Sequence, residues 1–115
     1  DFQGVEALFR GEAKQRQSNI LQTLLYSMML FHSRGGDAKP TLYYVRAMHR
    51  DDYSSRLVDR ELGRTGVRYS EYREPFERLL RETLAEMFDP AIPFRQCEDA
   101  EHTCRYCDFR EICKR

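Results

Sequence analysis

The chain has 115 residues, enough for one domain or part of one. Its 41% hydrophobic and 33% charged residues suit a globular piece rather than a disordered tail. Nineteen basic and nineteen acidic residues cancel, which removes any global charge signal for nucleic acid or a membrane surface but leaves room for a local basic patch. No apolar run approaches the length of a membrane span, and no signal peptide opens the chain. The first residue is Asp1, in a polar stretch with no strand before it. The chain is therefore expected to be a C-terminal piece of a longer protein.

Residues 3–16 place Val5, Leu8 and Phe9 at helical spacing before a polar stretch, with Gly11 weakening the run. A short amphipathic helix with a charged exit is expected. Residues 18–33 predict the clearest helix. Ser18 is the expected N-cap, and Gly35-Gly36 stops the run. Ile20, Leu21, Leu24, Leu25, Met28 and Phe31 form its wide apolar face. Gln22 and Tyr26, four residues apart, stack on one flank of it. Two readings stand for this pair: a site, or a Gln22 facing solvent beside a packed Tyr26 with a wet hydroxyl.

After a Gly35-Gly36-Asp37 loop, residues 41–48 (TLYYVRAM) are β-branched and aromatic, apolar on both alternating faces, the profile of an inner strand. Residues 49–64 are highly charged and read as a solvated loop, with Leu57, Val58 and Leu62 holding a turn or short strand. Residues 65–70 alternate Val67 and Tyr69 against Arg68 and Ser70, as a half-exposed strand does. Residues 73–88 predict the second strong helix, with Glu74-Pro75 in its first turn. Phe76, Leu79, Leu80, Leu84, Met87 and Phe88 form its expected buried stripe, and Asp89-Pro90 ends it. Residues 91–94 are then expected to run extended along the body and deliver the cysteine tail.

All four cysteines lie in that tail, Cys97, Cys104, Cys107 and Cys113, spaced C-x6-C-x2-C-x5-C. Crowded at one end, disulfides would cross-link almost nothing, so metal or cluster ligation in an intracellular, cytoplasmic setting is expected. Thiolates this close can converge on one centre, zinc or iron–sulfur. Cys97 is the least certain member. His102 is a further candidate ligand, set against the commoner case of a histidine that binds nothing. The parts add up to an α/β (α+β) chain: residues 1–96 as a partial domain and 97–115 as a cysteine-rich tail. Two strands are too few to cover two such apolar helices, so upstream strands or a homo-oligomer are expected to cover the rest.

The order LQTLLY, TLYYVR, FERLLRETLAEMFD, IPFRQ and CRYCDFREIC resembles the C-terminal part of RecB-like nucleases of the PD-(D/E)XK superfamily, most of all the AddB type. The resemblance covers residues 21–115. It implies a restriction-endonuclease-like fold and a Mg²⁺-dependent DNA exonuclease of double-strand-break repair and recombination, with DNA and a helicase subunit or domain as partners. It matches Gln22 and Tyr26 to the family's Gln-x3-Tyr motif beside the active site. It matches Cys104, Cys107 and Cys113 to three ligands of a four-iron four-sulfur cluster. The family's catalytic Asp, its Asp/Glu-x-Lys strand and the fourth cluster cysteine precede the Gln-x3-Tyr helix, and none is in this chain. Glu12-Ala13-Lys14 lies too close to the helix and in a helical context to be that triplet. The isolated chain is therefore expected to be inactive. The competing reading is a non-enzymatic interaction domain clipped by zinc, with Cys97 or His102 as fourth ligand.

Overall fold

The structure, a computed structural model, describes residues 1–12, 16–96 and 103–114. Among the described residues it is α+β, with three helices and one two-stranded antiparallel sheet, in the order α1 (Gly4–Arg10), α2 (Ser18–Arg34), β1 (Val58–Asp59), β2 (Arg64–Thr65) and α3 (Tyr69–Phe88). A 3-10 turn at Cys104–Tyr106 follows in the tail.

Helix α1 buries Val5 and Leu8 and half-buries Phe9, as the spacing predicts. It is shorter than the expected 3–16. Gly11 leaves the helical conformation, and its N–H closes the last turn on the Ala7 carbonyl at 3.1 Å. Helix α2 buries Ile20 and Leu24 and half-buries Leu21, Leu25, Met28 and Phe31. Gln17, not Ser18, occupies its N-cap position. Gly35 stops it with φ 65°, a left-handed conformation that glycine adopts without Cβ strain, and donates to the Phe31 carbonyl at 2.9 Å. Ser27 sits buried in the apolar face because its hydroxyl donates to the Thr23 carbonyl at 2.9 Å.

The expected inner strand at 41–48 does not form. Thr41 makes one antiparallel bridge to Arg56, and the Leu42 N–H donates to the Ser55 carbonyl at 2.9 Å. The Tyr53 hydroxyl then takes the place of the next rung. It donates to the Leu42 carbonyl at 2.9 Å and accepts the Tyr44 N–H at 2.7 Å. Residues 45–49 curl into a turn, with the Ala47 and Met48 N–H groups on the Tyr44 carbonyl. Among the described residues nothing lies alongside to pair with this stretch as an inner strand needs.

Residues 49–64 hold more order than a solvated loop. Leu57 is buried, and Leu62 stays exposed. Asp59 is fully buried, which the charge balance of the segment did not suggest. Its Oδ1 accepts the Glu61 and Leu62 N–H groups at 2.9 and 3.2 Å, and its Oδ2 accepts the Tyr72 hydroxyl at 2.7 Å. A buried carboxylate persists when its oxygens are satisfied in this way. The strand expected at 65–70 is only Arg64–Thr65, although Val67 and Tyr69 still turn inward.

Helix α3 starts at Tyr69, four residues before the expected 73. Its first turn is held from a distance. The Asp37 carboxylate accepts the Ser70 N–H at 2.9 Å and the Ser70 hydroxyl at 2.7 Å, and the Tyr69 N–H reaches the Ala38 carbonyl at 2.9 Å. Glu71 Oε2 accepts the Arg68 N–H at 3.1 Å, closing the turn from within. Pro75 therefore lies inside the helix rather than in its first turn, where it removes one backbone bond. The buried stripe shifts with the start. Tyr69, Tyr72, Phe76 and Leu79 are buried, whereas Leu84, Met87 and Phe88 are exposed, Phe88 by 80%. Seven-residue α1 covers only the first half of α3, and the Arg10–Glu82 ion pair marks the edge of that cover. Phe94, expected to run along the body, is 97% exposed.

One core joins these parts: Phe2, Val5, Leu8, Ile20, Leu24, Leu57, Val67, Tyr69, Tyr72, Phe76 and Leu79. Phe9 meets Phe76 edge-on at 5.5 Å between ring centroids, and Phe31 meets Tyr69 at 5.7 Å. Among the described residues, no helix is long and apolar enough to cross a membrane.

Candidate functional site

The 3.6-residue period of α2 sets Gln22 and Tyr26 one above the other, and the side chains meet. Gln22 Nε2 donates to the Tyr26 hydroxyl at 3.0 Å. Gln22 is exposed and the Tyr26 residue is 60% exposed, so the pair lies on the open flank, not in the core. The amide keeps its carbonyl oxygen and a second N–H, and the phenol keeps its own proton. Two donors and an acceptor thus remain free to orient a ligand.

Asn19 lies one turn earlier on the same flank and donates through Nδ2 to the Tyr44 hydroxyl. That bond ties residues 41–56 to α2. Between them lies a cavity of about 370 Å³, lined by Ile20, Leu42, Tyr44, Tyr53, Arg50 and Arg56 among others. Arg50 holds Asp52 through two nitrogens at 3.0 and 2.8 Å, and Arg60 pairs with Asp1, so both acids at this cavity are neutralised.

Three other polar clusters were not foreseen. Asp59 and Tyr72 join β1 to α3 in the core. Burial, then the Asp59 bond, holds the Tyr72 phenol above its usual range. His32 Nε2 lies 2.7 Å from Glu77 Oε1, which also accepts the Tyr69 hydroxyl at 3.0 Å. The His32 contact first, against burial, holds the Glu77 carboxyl below its usual range. Ser70 does the same for Asp37 through its hydroxyl and then its N–H. All three clusters join elements distant in sequence. The one local hint was the spacing of Arg68 and Glu71 at a helix start.

Cys104, Cys107 and Cys113 are half-buried free thiols. The Cys107 N–H closes on the Cys104 carbonyl at 3.3 Å, and Gln96 Nε2 donates to the Cys113 carbonyl at 3.2 Å. By donor type the three suit a thiolate-ligated centre. In this arrangement they are not gathered: among the described residues no three His, Cys, Asp or Glu side chains form a group that could hold a metal ion. The same holds for a carboxylate site for Mg²⁺. Cys97, His102 and the Ala13-Lys14 pair of the Glu-x-Lys triplet lie outside the described residues.

No curated protein and no solved structure matches the chain. One family model does, that of the PD-(D/E)XK nuclease superfamily, over residues 8–114. The match runs from α1 to the last cysteine and takes in the Gln22–Tyr26 flank, the core and the tail, so the chain belongs to the PD-(D/E)XK nuclease superfamily.

Proposed function

We propose that the chain supplies the Gln-x3-Tyr helix and the cysteine-rich tail of an AddB/RecB-like, metal-dependent DNA exonuclease of double-strand-break repair and recombination. The observation that carries this reading is the Gln22–Tyr26 hydrogen bond on the open flank of α2, inside a superfamily match spanning residues 8–114. The pair presents fixed donors and an acceptor to DNA or to the catalytic groups beside it. The carboxylates that hold Mg²⁺ and activate water belong to the parent protein and not to these 115 residues, so the chain alone does not cut DNA. The parent acts in the cytoplasm with a helicase subunit or domain. The exposed apolar residues of 43–48 and of the end of α3 are covered there, or by self-association of the chain.

Cys104, Cys107 and Cys113 are three ligands of a four-iron four-sulfur cluster, the fourth being Cys97 or a cysteine of the parent. When bound, the cluster acts as a structural clip without redox chemistry. Cys104, Cys107 and Cys113 would have to be drawn together to hold it.

Cleavage of linear DNA by the parent protein with Mg²⁺ tests the reading. Gln22→Ala and Tyr26→Phe should each slow it by about tenfold or more, since small misplacements at a metal site are costly. Full activity in both variants removes the assignment of this flank. Iron analysis with a visible spectrum tests the tail. A brown, iron-containing parent supports the cluster, and a colourless one with a single tightly held zinc supports a zinc clip instead.

A further inference from the structure

The tail treats its three described thiols unequally. Cys104–Tyr106 is a 3-10 turn and Cys107 caps it, with the Cys107 N–H on the Cys104 carbonyl at 3.3 Å. A closure from one residue to the third beyond it brings the two Cα atoms within about 7 Å, and a disulfide bridges Cα atoms about 4.4–6.8 Å apart. Side chains three apart eclipse on a 3-10 turn, so the two thiols share one side of it. Cys113 stands apart. Its N–H closes a later turn on the Phe109 carbonyl at 3.1 Å, and Gln96 holds its carbonyl at 3.2 Å. A pair and an outlier agree with the lack of any three-ligand group among the described residues.

Two thiols on one turn are too few for a metal centre and enough for a disulfide. The turn is open to small reagents. Cys104 and Cys107 are half-buried, and the residues between them, Arg105 and Tyr106, are exposed, with the Arg105 guanidinium over the Tyr106 ring at 5.4 Å. A bond closing so short a loop restrains the unfolded chain little, so it adds little stability. Exposed bonds of this kind are the readily reduced ones. The crowding of the cysteines therefore argues against a structural staple here, and not against a reversible bond.

We propose that Cys104 and Cys107 are a thiol–disulfide pair, bonded to each other by a low-molecular-weight disulfide when the tail holds no metal, and that the bond withholds both sulfurs from metal until it is reduced. One thiol attacks a sulfur of the small disulfide, forming a mixed disulfide and releasing one small thiol. The other attacks the mixed disulfide, closing the Cys104–Cys107 bond and releasing the second small thiol. The two electrons and two protons lost by the cysteines end on those two thiols. This rests on the ligand reading of the tail and adds a control on its loading.

Equilibration of the metal-free 115-residue chain with reduced and oxidised glutathione, followed by acid quenching, tryptic digestion and mass spectrometry, tests it. Trypsin cuts after Arg105 and Arg110, so the bond should link peptides 96–105 and 106–110. Cys97 shares the first peptide, so the linkage should persist in Cys97→Ser and in Cys113→Ser and vanish in Cys104→Ser and in Cys107→Ser. Because the turn holds the pair ready, the equilibrium constant against glutathione should be about fivefold or more larger in the native chain than in guanidinium-unfolded chain. Cobalt(II) alone, followed by its thiolate absorption, should bind the reduced chain about tenfold or more tighter than the oxidised one, and a dithiol reductant should restore the difference. A bond through Cys97 or Cys113 instead, equal constants in native and unfolded chain, or cobalt uptake that is absent or indifferent to oxidation overturns the inference. The exchange is measured without iron, so a parent that carries the cluster while this chain forms no Cys104–Cys107 bond fails this inference alone. A colourless parent with the bond intact fails the cluster alone.

Discussion

Two stretches of similar composition meet opposite fates. Residues 57–79 and residues 41–56 both mix aromatic, aliphatic and charged side chains. The first closes over Leu57, Val67, Tyr69, Tyr72, Phe76 and Leu79, all buried. The second leaves Tyr43, Tyr44, Val45 and Met48 exposed. The difference lies in partners. Residues 57–79 find α1, α2 and Phe2 within the chain, whereas among the described residues 41–56 pairs mainly with itself, at the Thr41–Arg56 bridge, and meets the rest through Leu42 against the core and the Asn19–Tyr44 bond. A strand-like pattern specifies a strand only when something lies beside it to complete the ladder.

The largest effects should fall on the closed region. Phe76→Ala removes a fully buried ring that touches both Phe9 and Tyr69, and should cost ~4 kcal/mol of stability. In a domain held by only ~5–15 kcal/mol that is enough to unfold much of the population, which urea denaturation will show. Asp59→Ala comes next, at ~3 kcal/mol, because it strands the Tyr72 hydroxyl and two backbone N–H groups. A loss no larger than that of an exposed Arg81→Ala control would mean that the Asp59 network does not hold the hairpin to α3.

Asp37→Ala should act less and more locally. The first turn of α3 loses the acceptor for the Ser70 N–H, so hydrogen exchange at residues 69–72 should quicken before the core is affected. Acid should mimic it. Asp37 and Glu77 are both held below the usual carboxylate range. Their contribution is complete above about pH 4, the unfolded value, and is lost as pH falls through the depressed folded values. A melting temperature that does not fall in that acid window would show that neither clamp stabilises the fold. Least of all, Tyr43→Ala should change stability by no more than about 0.5 kcal/mol, since its ring touches little. A large loss there would erase the contrast between the two stretches.

Much of this was legible beforehand. The positions of α1 and α2, the stop at Gly35, the Gln22–Tyr26 pairing and the α+β class follow from periodicity and glycine placement, which act over a few residues. The 41–48 strand, the start of α3 and the burial of Asp59 did not. Each turns on a partner far away: the Tyr53 hydroxyl, the Asp37 carboxylate and the Tyr72 phenol. The exposed end of α3 has the same cause. Its stripe of Leu84, Met87 and Phe88 repeats correctly for a buried face, but α1 is too short to reach it.

The sequence by itself determined that helices form, that Gln22 and Tyr26 share a flank, and that four cysteines crowd into the last nineteen residues. Those are consequences of spacing along the chain, written in 3.6-residue steps and in glycine's freedom at φ 65°. Only the tertiary structure decided that the Gln22–Tyr26 flank is left open, that Asp59 is buried, and that Asp37 begins α3 from 33 residues away. A hydrogen bond between distant residues depends on where the whole chain brings its ends, and no local pattern carries that information.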